Sequence, residues 1–146
     1  MTDSNLGGGH ANHAKKIVVG FDGSDGSTAA LHWAVREAIL RNVELEAVRA
    51  WTPGEFGTEE ELGEYTQSHL EKEMAESITD PTVRWSAVAE RGSAAKILLE
   101  RGKDAQMLVV GSRGHGAISG LLLGSVSSQV ATHSGAAVVV IVKETV

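Results

Sequence analysis

Short apolar segments rich in β-branched residues recur along the chain, and longer segments with helical periodicity separate them. Residues 17–21 show the pattern most clearly, because Ile17, Val18 and Val19 follow one another without any polar alternation. Such an unbroken apolar run is typical of a strand buried on both faces of a sheet. The sequence predicts strands at residues 17–21, 43–51, 83–89, 106–110 and 137–142.

Between the predicted strands, apolar residues recur at spacings of three and four, which marks one face of a helix. Leu31, Ala34 and Ala38 show this spacing, and Ser27 stands ahead of them where an N-cap is expected. The last helix is predicted to begin at Ser125 and to stop before Gly135. The sequence predicts helices after Ser27 and within residues 58–78, 93–101 and 125–133.

Strict alternation of strand and helix predicts an α/β fold, namely an open, doubly wound, five-stranded parallel sheet with helices on both faces, similar to a Rossmann fold. In such sheets, ligands bind beyond the carboxyl ends of the strands, where the strand order reverses. The length of 146 residues fits one domain. We expect residues 1–14, which are rich in Gly and His, to form a flexible tail and residues 15–146 to form the domain.

The charge balance excludes some partners. Lys and Arg number 13 against 19 Asp and Glu, and the formal net charge is −6, so no general attraction to nucleic acid or anionic membranes is expected. The chain contains no Cys, which excludes disulfides and thiolate sites. Its apolar segments are far shorter than the ~20 residues of a membrane-spanning helix. These features favour a cytoplasmic protein.

A glycine-rich segment follows the fourth predicted strand and ends at the start of a predicted helix. Glycines such as Gly111, Gly114 and Gly116 let a phosphate approach the backbone closely, and a helix beginning near Ser125 would offer unpaired N–H groups to an anion. A strand, a glycine loop and a helix start in this order predict a phosphate-binding cradle. Arg113 and His115 lie inside the loop and could reach phosphates or point to solvent.

Two common nucleotide motifs do not fit this chain. A P-loop needs a Gly-Lys-Ser/Thr sequence, but no lysine lies between Lys103 and Lys143. The dinucleotide fingerprint belongs after the first strand, where Asp22 would repel a pyrophosphate. Asp22 could instead cap the first helix or face a ligand.

The spacing Gly111, two residues, Gly114, nine residues, Gly124 and then Ser125 resembles the ATP-binding signature of the universal stress protein family. The resemblance extends over nearly the whole chain from Lys15 and includes the opening residues 17–22 and the closing residues 138–142. It implies a Rossmann-like fold of the adenine nucleotide alpha hydrolase type and ATP as the bound cofactor.

Carried across residue by residue, the resemblance implies that Gly20, Phe21 and Asp22 face the adenine and the ribose. Ala50 would line the adenine pocket through its backbone. For the rest of the nucleotide, the implied contacts beneath the ribose and along the phosphates are Val110, Gly111, Arg113, Gly114, Gly124, Ser125, Val126 and Ser127. Because the protein is acidic and Arg113 is the loop's only fixed positive charge, we expect Mg²⁺ to assist binding.

No complete catalytic constellation is present, so binding is better supported than turnover. The first hypothesis is an ATP-binding regulatory protein of the stress response. One alternative is a slow ATPase or phosphotransferase in which Asp22 and Mg²⁺ position water. The other is a dimeric interaction module that does not bind nucleotide, as in the family's subtype that lacks the glycine spacing.

The strand between Ala137 and Val142 predicts a homodimer, because an apolar strand at an exposed edge invites pairing. The family resemblance points the same way, since members commonly pair this last strand across a two-fold axis. Such pairing would bury Val138, Val140 or Val142 between subunits.

Overall fold

The computed structural model describes residues 15–54, 57–113 and 123–142. The strands are β1 (Ile17–Gly20), β2 (Leu45–Trp51), β3 (Trp85–Arg91), β4 (Met107–Gly111) and β5 (Ala137–Ile141). The helices are α1 (Asp25–Arg41), α2 (Glu59–Ser77), α3 (Ala94–Arg101) and α4 (Ser125–His133). The predicted flexible tail, residues 1–14, lies outside the described residues.

All strand pairs are parallel, and the sheet order is β3-β2-β1-β4-β5. Ile17 of β1 pairs with Leu45 of β2 on one side and with Met107 of β4 on the other. The chain therefore builds the sheet outward from β1 in one direction and then returns to build β4 and β5 in the other. This confirms the predicted doubly wound sheet and places the reversal of strand order between β1 and β4.

Helices cover both faces of the sheet. Alternate residues of β1 point to opposite faces: Ile17 and Val19 join a core with α1 and α2, whereas Val18 joins a core with α3 and α4. All three side chains are fully buried, which explains the absence of polar alternation in this strand. Among the described residues, no helix is long and apolar enough to cross a membrane.

The start of α1 differs from the prediction. Ser24 is the N-cap, and its hydroxyl accepts a hydrogen bond from the Ser27 backbone N–H. Ser27 lies in the first turn of the helix, and its own hydroxyl lies 3.0 Å from the Ser24 carbonyl. Asp22 does not cap the helix, because its carboxylate accepts hydrogen bonds from the backbone N–H and the hydroxyl of Ser24. The serine three residues earlier takes the capping position, since Asp25 and Gly26 already continue the helix.

Helix α4 has the predicted bounds, residues 125–133, and differs from the prediction only in the residue that ends it. Gly124 is the N-cap and Ser125 is the first helical residue. Ser134, rather than Gly135, ends the helix: its backbone N–H donates to the Val130 carbonyl, and its hydroxyl accepts from the Ala136 N–H. The Ser134 side chain therefore supplies the turn that a glycine was expected to provide.

Strand β3 begins two residues later than predicted. A turn holds the preceding segment, because both the N–H and the hydroxyl of Thr82 donate to the Asp80 carboxylate and the Val83 N–H donates to the Asp80 carbonyl. The boundaries of α2 agree closely with the prediction, since a Thr58–Glu61 capping box begins the helix.

Strand β5 forms one edge of the sheet. Val138 and Val140 pack against the α3 and α4 core of their own chain, and Val139 and Ile141 pack against the other core. The side chains of Val138 and Val140 are thus already partly buried within the subunit. Pairing of this edge with a second chain would have to rely on backbone groups more than on these side chains.

Candidate functional site

One cavity of about 560 Å³ lies at the carboxyl ends of β1, β2 and β4, beside the reversal of strand order. The N-terminal ends of three helices also border it: the N-caps Ser24 of α1 and Gly124 of α4, and Ala94, the first residue of α3. Each helix directs the positive end of its dipole toward its N-terminus. The cavity therefore combines the usual position of a ligand in this fold with an environment that favours negative charge.

The structure brings nearly all of the predicted site residues together around this cavity. Those that line it are Gly20, Phe21, Asp22, Ala50, Val110, Gly111, Arg113, Gly124, Ser125, Val126 and Ser127. Gly114 and His115 lie outside the described residues. Leu98 and Val48, which the sequence analysis did not single out, add apolar surface.

The loop that leaves β4 passes directly against the first turn of α1. A Cβ atom on Gly111 would lie 2.6 Å from the carbonyl carbon of Gly26, and a Cβ on Gly26 would overlap the Arg113 carbonyl oxygen. Neither position can accept a side chain without a backbone shift. The contact fixes the glycine loop relative to the segment that follows β1, so two chain segments on either side of the cavity are held together.

Gly124 differs from these two glycines. Its φ of −80° and ψ of 178° suit any residue, and a Cβ there would make only ordinary contacts, the nearest at 3.4 Å from the Ser112 carbonyl. Neither backbone conformation nor packing of the described residues requires glycine at this position. A ligand that approaches the backbone closely is a remaining physical reason for it.

The N-terminus of α4 has no side-chain cap within the described part of the chain. The first N–H groups of a helix have no partner inside the helix, so those of Ser125, Val126 and Ser127 are available to an anion in the cavity. The Ser127 hydroxyl is engaged elsewhere: it lies buried, 2.7 Å from the Ser112 carbonyl to which it donates. Ser127 can thus offer a backbone N–H to the cavity, while its side chain secures the loop.

The described lining carries three charged side chains: Asp22, Arg49 and Arg113. Asp22 is exposed and positioned by its hydrogen bonds with Ser24. Arg49 forms an ion pair of 2.8 Å with Glu73 of α2, so its charge is largely compensated. Sequence analysis missed Arg49, because it is one of three charged residues in the predicted strand 43–51 and nothing in the pattern distinguishes it from the other two. Among the described residues, no group of three or more His, Cys, Asp or Glu could hold a metal ion.

Solved structures share this fold. The universal stress protein UspA from Lactobacillus plantarum superimposes with a TM-score of 0.73 at 21% identity, covering 87% of this chain and 97% of that one. A universal stress protein in complex with cAMP gives a TM-score of 0.65 at 27% identity, covering 88% and 96%. A universal stress protein from Archaeoglobus fulgidus in complex with dAMP gives 0.63 at 21% identity, covering 87% and 97%.

Curated relatives include Universal stress protein Rv2623 of Mycobacterium tuberculosis, which is 38% identical over 121 residues, covering 79% of this chain and 41% of the relative. A universal stress protein of Mycolicibacterium smegmatis is 38% identical over 131 residues, covering 86% and 45%. The chain thus spans less than half the length of these curated relatives. The model of the universal stress protein family matches residues 13–142. The chain belongs to the universal stress protein family.

Proposed function

We propose that this protein binds an adenine nucleotide, ATP with Mg²⁺, in the cavity between β1 and β4, and that the bound nucleotide regulates its interactions. The observation that carries the proposal is the N-terminus of α4, which no described side chain caps and which borders a cavity of about 560 Å³. This volume lies within the roughly 300–1,000 Å³ of typical ligand pockets. Related structures that contain cAMP or dAMP support adenine nucleotides as the ligand class.

The phosphates occupy the α4 side of the cavity in this proposal. Backbone N–H groups of Ser125, Val126 and Ser127 bind phosphate oxygens, and Gly124 lets the chain of phosphates approach. Arg113 lines the same side and adds a positive charge. Gly114 belongs to the proposed phosphate contacts through its place in the glycine signature.

The nucleoside occupies the β1 and β2 side. Gly20 ends β1 and Phe21 and Asp22 follow it; in this proposal these three residues face the adenine and the ribose. Ala50 lines the adenine pocket near the end of β2. Apolar surface from Val48 and Leu98 suits a flat base. The exposed Asp22 carboxylate suits either a ribose hydroxyl or a Mg²⁺ ion that the phosphates share, because Mg²⁺ is commonly held by one or two carboxylates and by substrate phosphates.

Binding, rather than turnover, is the proposed activity. Among the described residues that line the cavity, Asp22 is the only carboxylate and no histidine is present, so a general base paired with a second acid or base is not assembled there.

We further propose that the protein acts as a homodimer paired through β5, an edge strand of apolar residues.

The proposal is tested by comparing Gly124→Asp with Gly124→Ala. Asp is a favoured N-cap residue, so Gly124→Asp should fold with unchanged or slightly higher stability. The same carboxylate stands where the phosphates approach, and like charges about 4 Å apart repel by roughly 4 kcal/mol at an effective dielectric near 20. That corresponds to a loss of ATP affinity of about a thousandfold.

Titration calorimetry with ATP and Mg²⁺ measures the affinities, and thermal denaturation measures the stabilities. Gly124→Ala is the matched control, because it adds a Cβ without charge and should lose far less affinity. Equal ATP affinity in the wild type and a folded Gly124→Asp variant would refute phosphate binding at α4. A wild type that binds no adenine nucleotide would refute the proposed function as a whole.

A further inference from the structure

Arg49 connects the proposed nucleotide site with helix α2. It lies near the end of β2 and lines the cavity, yet only 14% of its side chain is exposed. Its Nη1 donates to Glu73 Oε1 at 2.8 Å, and its Nε donates to the Phe21 carbonyl at 3.2 Å. The guanidinium carbon also lies 5.3 Å from the centre of the Phe21 ring. One side chain thus contacts a strand end, a buried aromatic ring and a helix.

The segment that Arg49 contacts forms the proposed nucleoside side of the cavity. The Phe21 N–H donates to the Val48 carbonyl at 2.9 Å, so the backbone of β2 holds the amide side of Phe21. Arg49 holds the carbonyl side of the same residue. The next amide, that of Asp22, donates to the Ser27 hydroxyl at 3.3 Å. Arg49 therefore extends the pairing between β1 and β2 by one side-chain hydrogen bond beyond the last strand residue.

Glu73 restrains Arg49 from the other side. Its Oε1 atom also lies 2.9 Å from Nδ1 of His69, one turn earlier on α2. Gly23, with a φ of 86°, brings the chain close to the pair: a Cβ there would lie 3.4 Å from Arg49 Nη2 and 3.8 Å from Glu73 Oε2. The turn after Asp22 thus lies in contact with the ion pair. The positive φ at position 23 would strain any residue that has a side chain.

We propose that Arg49 is a positioning residue, which holds Phe21 and Asp22 in place and thereby sets the affinity for the adenosine part of the nucleotide. The inference rests on the proposed function and adds a link between the site and α2, because Glu73 of this helix holds the Arg49 guanidinium in place. Arg49 does not bind the phosphates: Glu73 compensates its charge, and its Nε and Nη1 groups already have partners. Loss of the Arg49 side chain should therefore lower the affinities for adenosine and for ATP by the same factor.

The test compares Arg49→Met with the wild type in competition titrations, using adenosine and ATP with Mg²⁺ as the two ligands. Methionine keeps much of the apolar stem but makes neither hydrogen bond. The expected loss is about tenfold for each ligand, the size of one hydrogen bond from a charged donor. A loss for ATP with unchanged adenosine affinity would mean that Arg49 contacts phosphate, and it would overturn the inference.

Arg91→Met is the matched control. Arg91 forms a 2.7 Å ion pair with Glu59 of the same helix, also from the end of a strand, but it does not line the cavity. The Arg91→Met substitution should leave the affinities for adenosine and for ATP unchanged. If Arg49→Met and Arg91→Met have equal effects, the Arg49 contacts have no specific role and the inference fails.

Glu73 provides a second, independent arm if Arg49→Met does not fold. Glu73→Gln keeps an oxygen that can accept from Arg49 and should retain most of the adenosine affinity, whereas Glu73→Ala should lose severalfold. Where Arg49→Met folds, adding Glu73→Ala to it should have no further effect on adenosine affinity, because the residue through which Glu73 acts is gone. Equal affinities of Glu73→Ala and the wild type would overturn the link to α2. Absence of nucleotide binding by the wild type would instead refute the proposed function.

Discussion

Gly26 and Gly111 face each other where the loop after β4 passes the first turn of α1. Glycine is required at both positions by the close approach of two backbones. Gly124 is under no such requirement from packing or dihedral angle. A glycine signature that appears uniform in the sequence therefore contains one glycine that packing requires, Gly111, and one that packing does not require, Gly124, for which we propose access for a ligand.

Gly26→Ala separates packing from helix propensity. Alanine is the better helix former by about 1 kcal/mol, so propensity alone predicts stabilisation of α1. The added Cβ overlaps the Arg113 carbonyl, however, and overpacking against backbone costs typically 1–3 kcal/mol. We expect net destabilisation in chemical denaturation, together with weaker ATP binding because the loop after β4 is displaced.

Gly135→Ala is the control for this prediction, since a Cβ at Gly135 would meet no atom within 4 Å among the described residues. Its stability should change by less than about 0.5 kcal/mol. A Gly26→Ala variant more stable than the wild type would show that the loop after β4 can move freely away from the first turn of α1.

The sequence predicted which residues lie around the cavity better than it predicted the contacts that place them there. Gly111 was assigned to the nucleotide, but its contact with Gly26 depends on the parallel pairing of β1 and β4, which no local pattern contains. Ser27 and Ser24 are both good N-caps, and only the path of the backbone decides between them. Arg49 gave a weak signal, because its partner Glu73 belongs to a helix whose orientation was unknown.

The two edge strands of the sheet, β3 and β5, differ in the partners that their outward-facing backbone groups have. At β3, the side-chain amide of Gln67 donates to the Ala87 carbonyl at 2.8 Å and accepts from the Ala89 N–H at 2.7 Å. This pair of bonds reproduces what a neighbouring strand would offer, so Gln67 of α2 closes the outer edge of β3. An edge closed in this way resists pairing with another chain.

Gln67→Ala should open that edge. It removes two hydrogen bonds to part-buried backbone groups, and we expect a loss of roughly 1–3 kcal/mol in unfolding free energy. The freed N–H and carbonyl should also raise the rate of aggregation, measured by light scattering near the midpoint of thermal unfolding. The exposed neighbour Ser68 supplies the control: Ser68→Ala should change neither quantity. Unaltered aggregation in Gln67→Ala would show that the edge is protected by other means.

Most element boundaries lie within about two residues of those that the hydrophobic pattern predicts, and β2, like β3, begins two residues later than predicted. The late start of β3 depends on Thr82 and Asp80, and the end of α4 depends on Ser134. These short hydrogen bonds use residue types that also occur within strands and helices. Hydrophobic periodicity alone could not show whether such a residue forms a turn or continues a strand or helix.

For the whole molecule, β5 is the edge proposed for dimerisation. The Ser112 N–H donates to the Ile141 carbonyl, so the backbone of Ile141 faces β4. Because backbone groups alternate along a strand, those of Val138 and Val140 face outward. A second chain can pair with these groups although the side chains are already packed within the subunit.

Val140→Pro removes one outward N–H, and proline is tolerated on edge strands. We expect sedimentation velocity to show a wild-type dimer at micromolar concentration and a weakened dimer for Val140→Pro. Val140→Ala, which removes more apolar surface but keeps the N–H, should remain dimeric. A monomeric wild type, or equal dimer affinity for all three proteins, would count against pairing through β5.

The position of β1 at the centre of the sheet has a consequence for synthesis. The half of the sheet made of β1, β2 and β3 leaves the ribosome first and can pair along Leu45 with both neighbours. β4, the other partner of β1, is translated only after α3. During that interval one side of β1 lacks its permanent neighbour, and nascent chains are most exposed to misassociation at such unpaired strands. A pause in translation just before Met107 would prolong this vulnerable state.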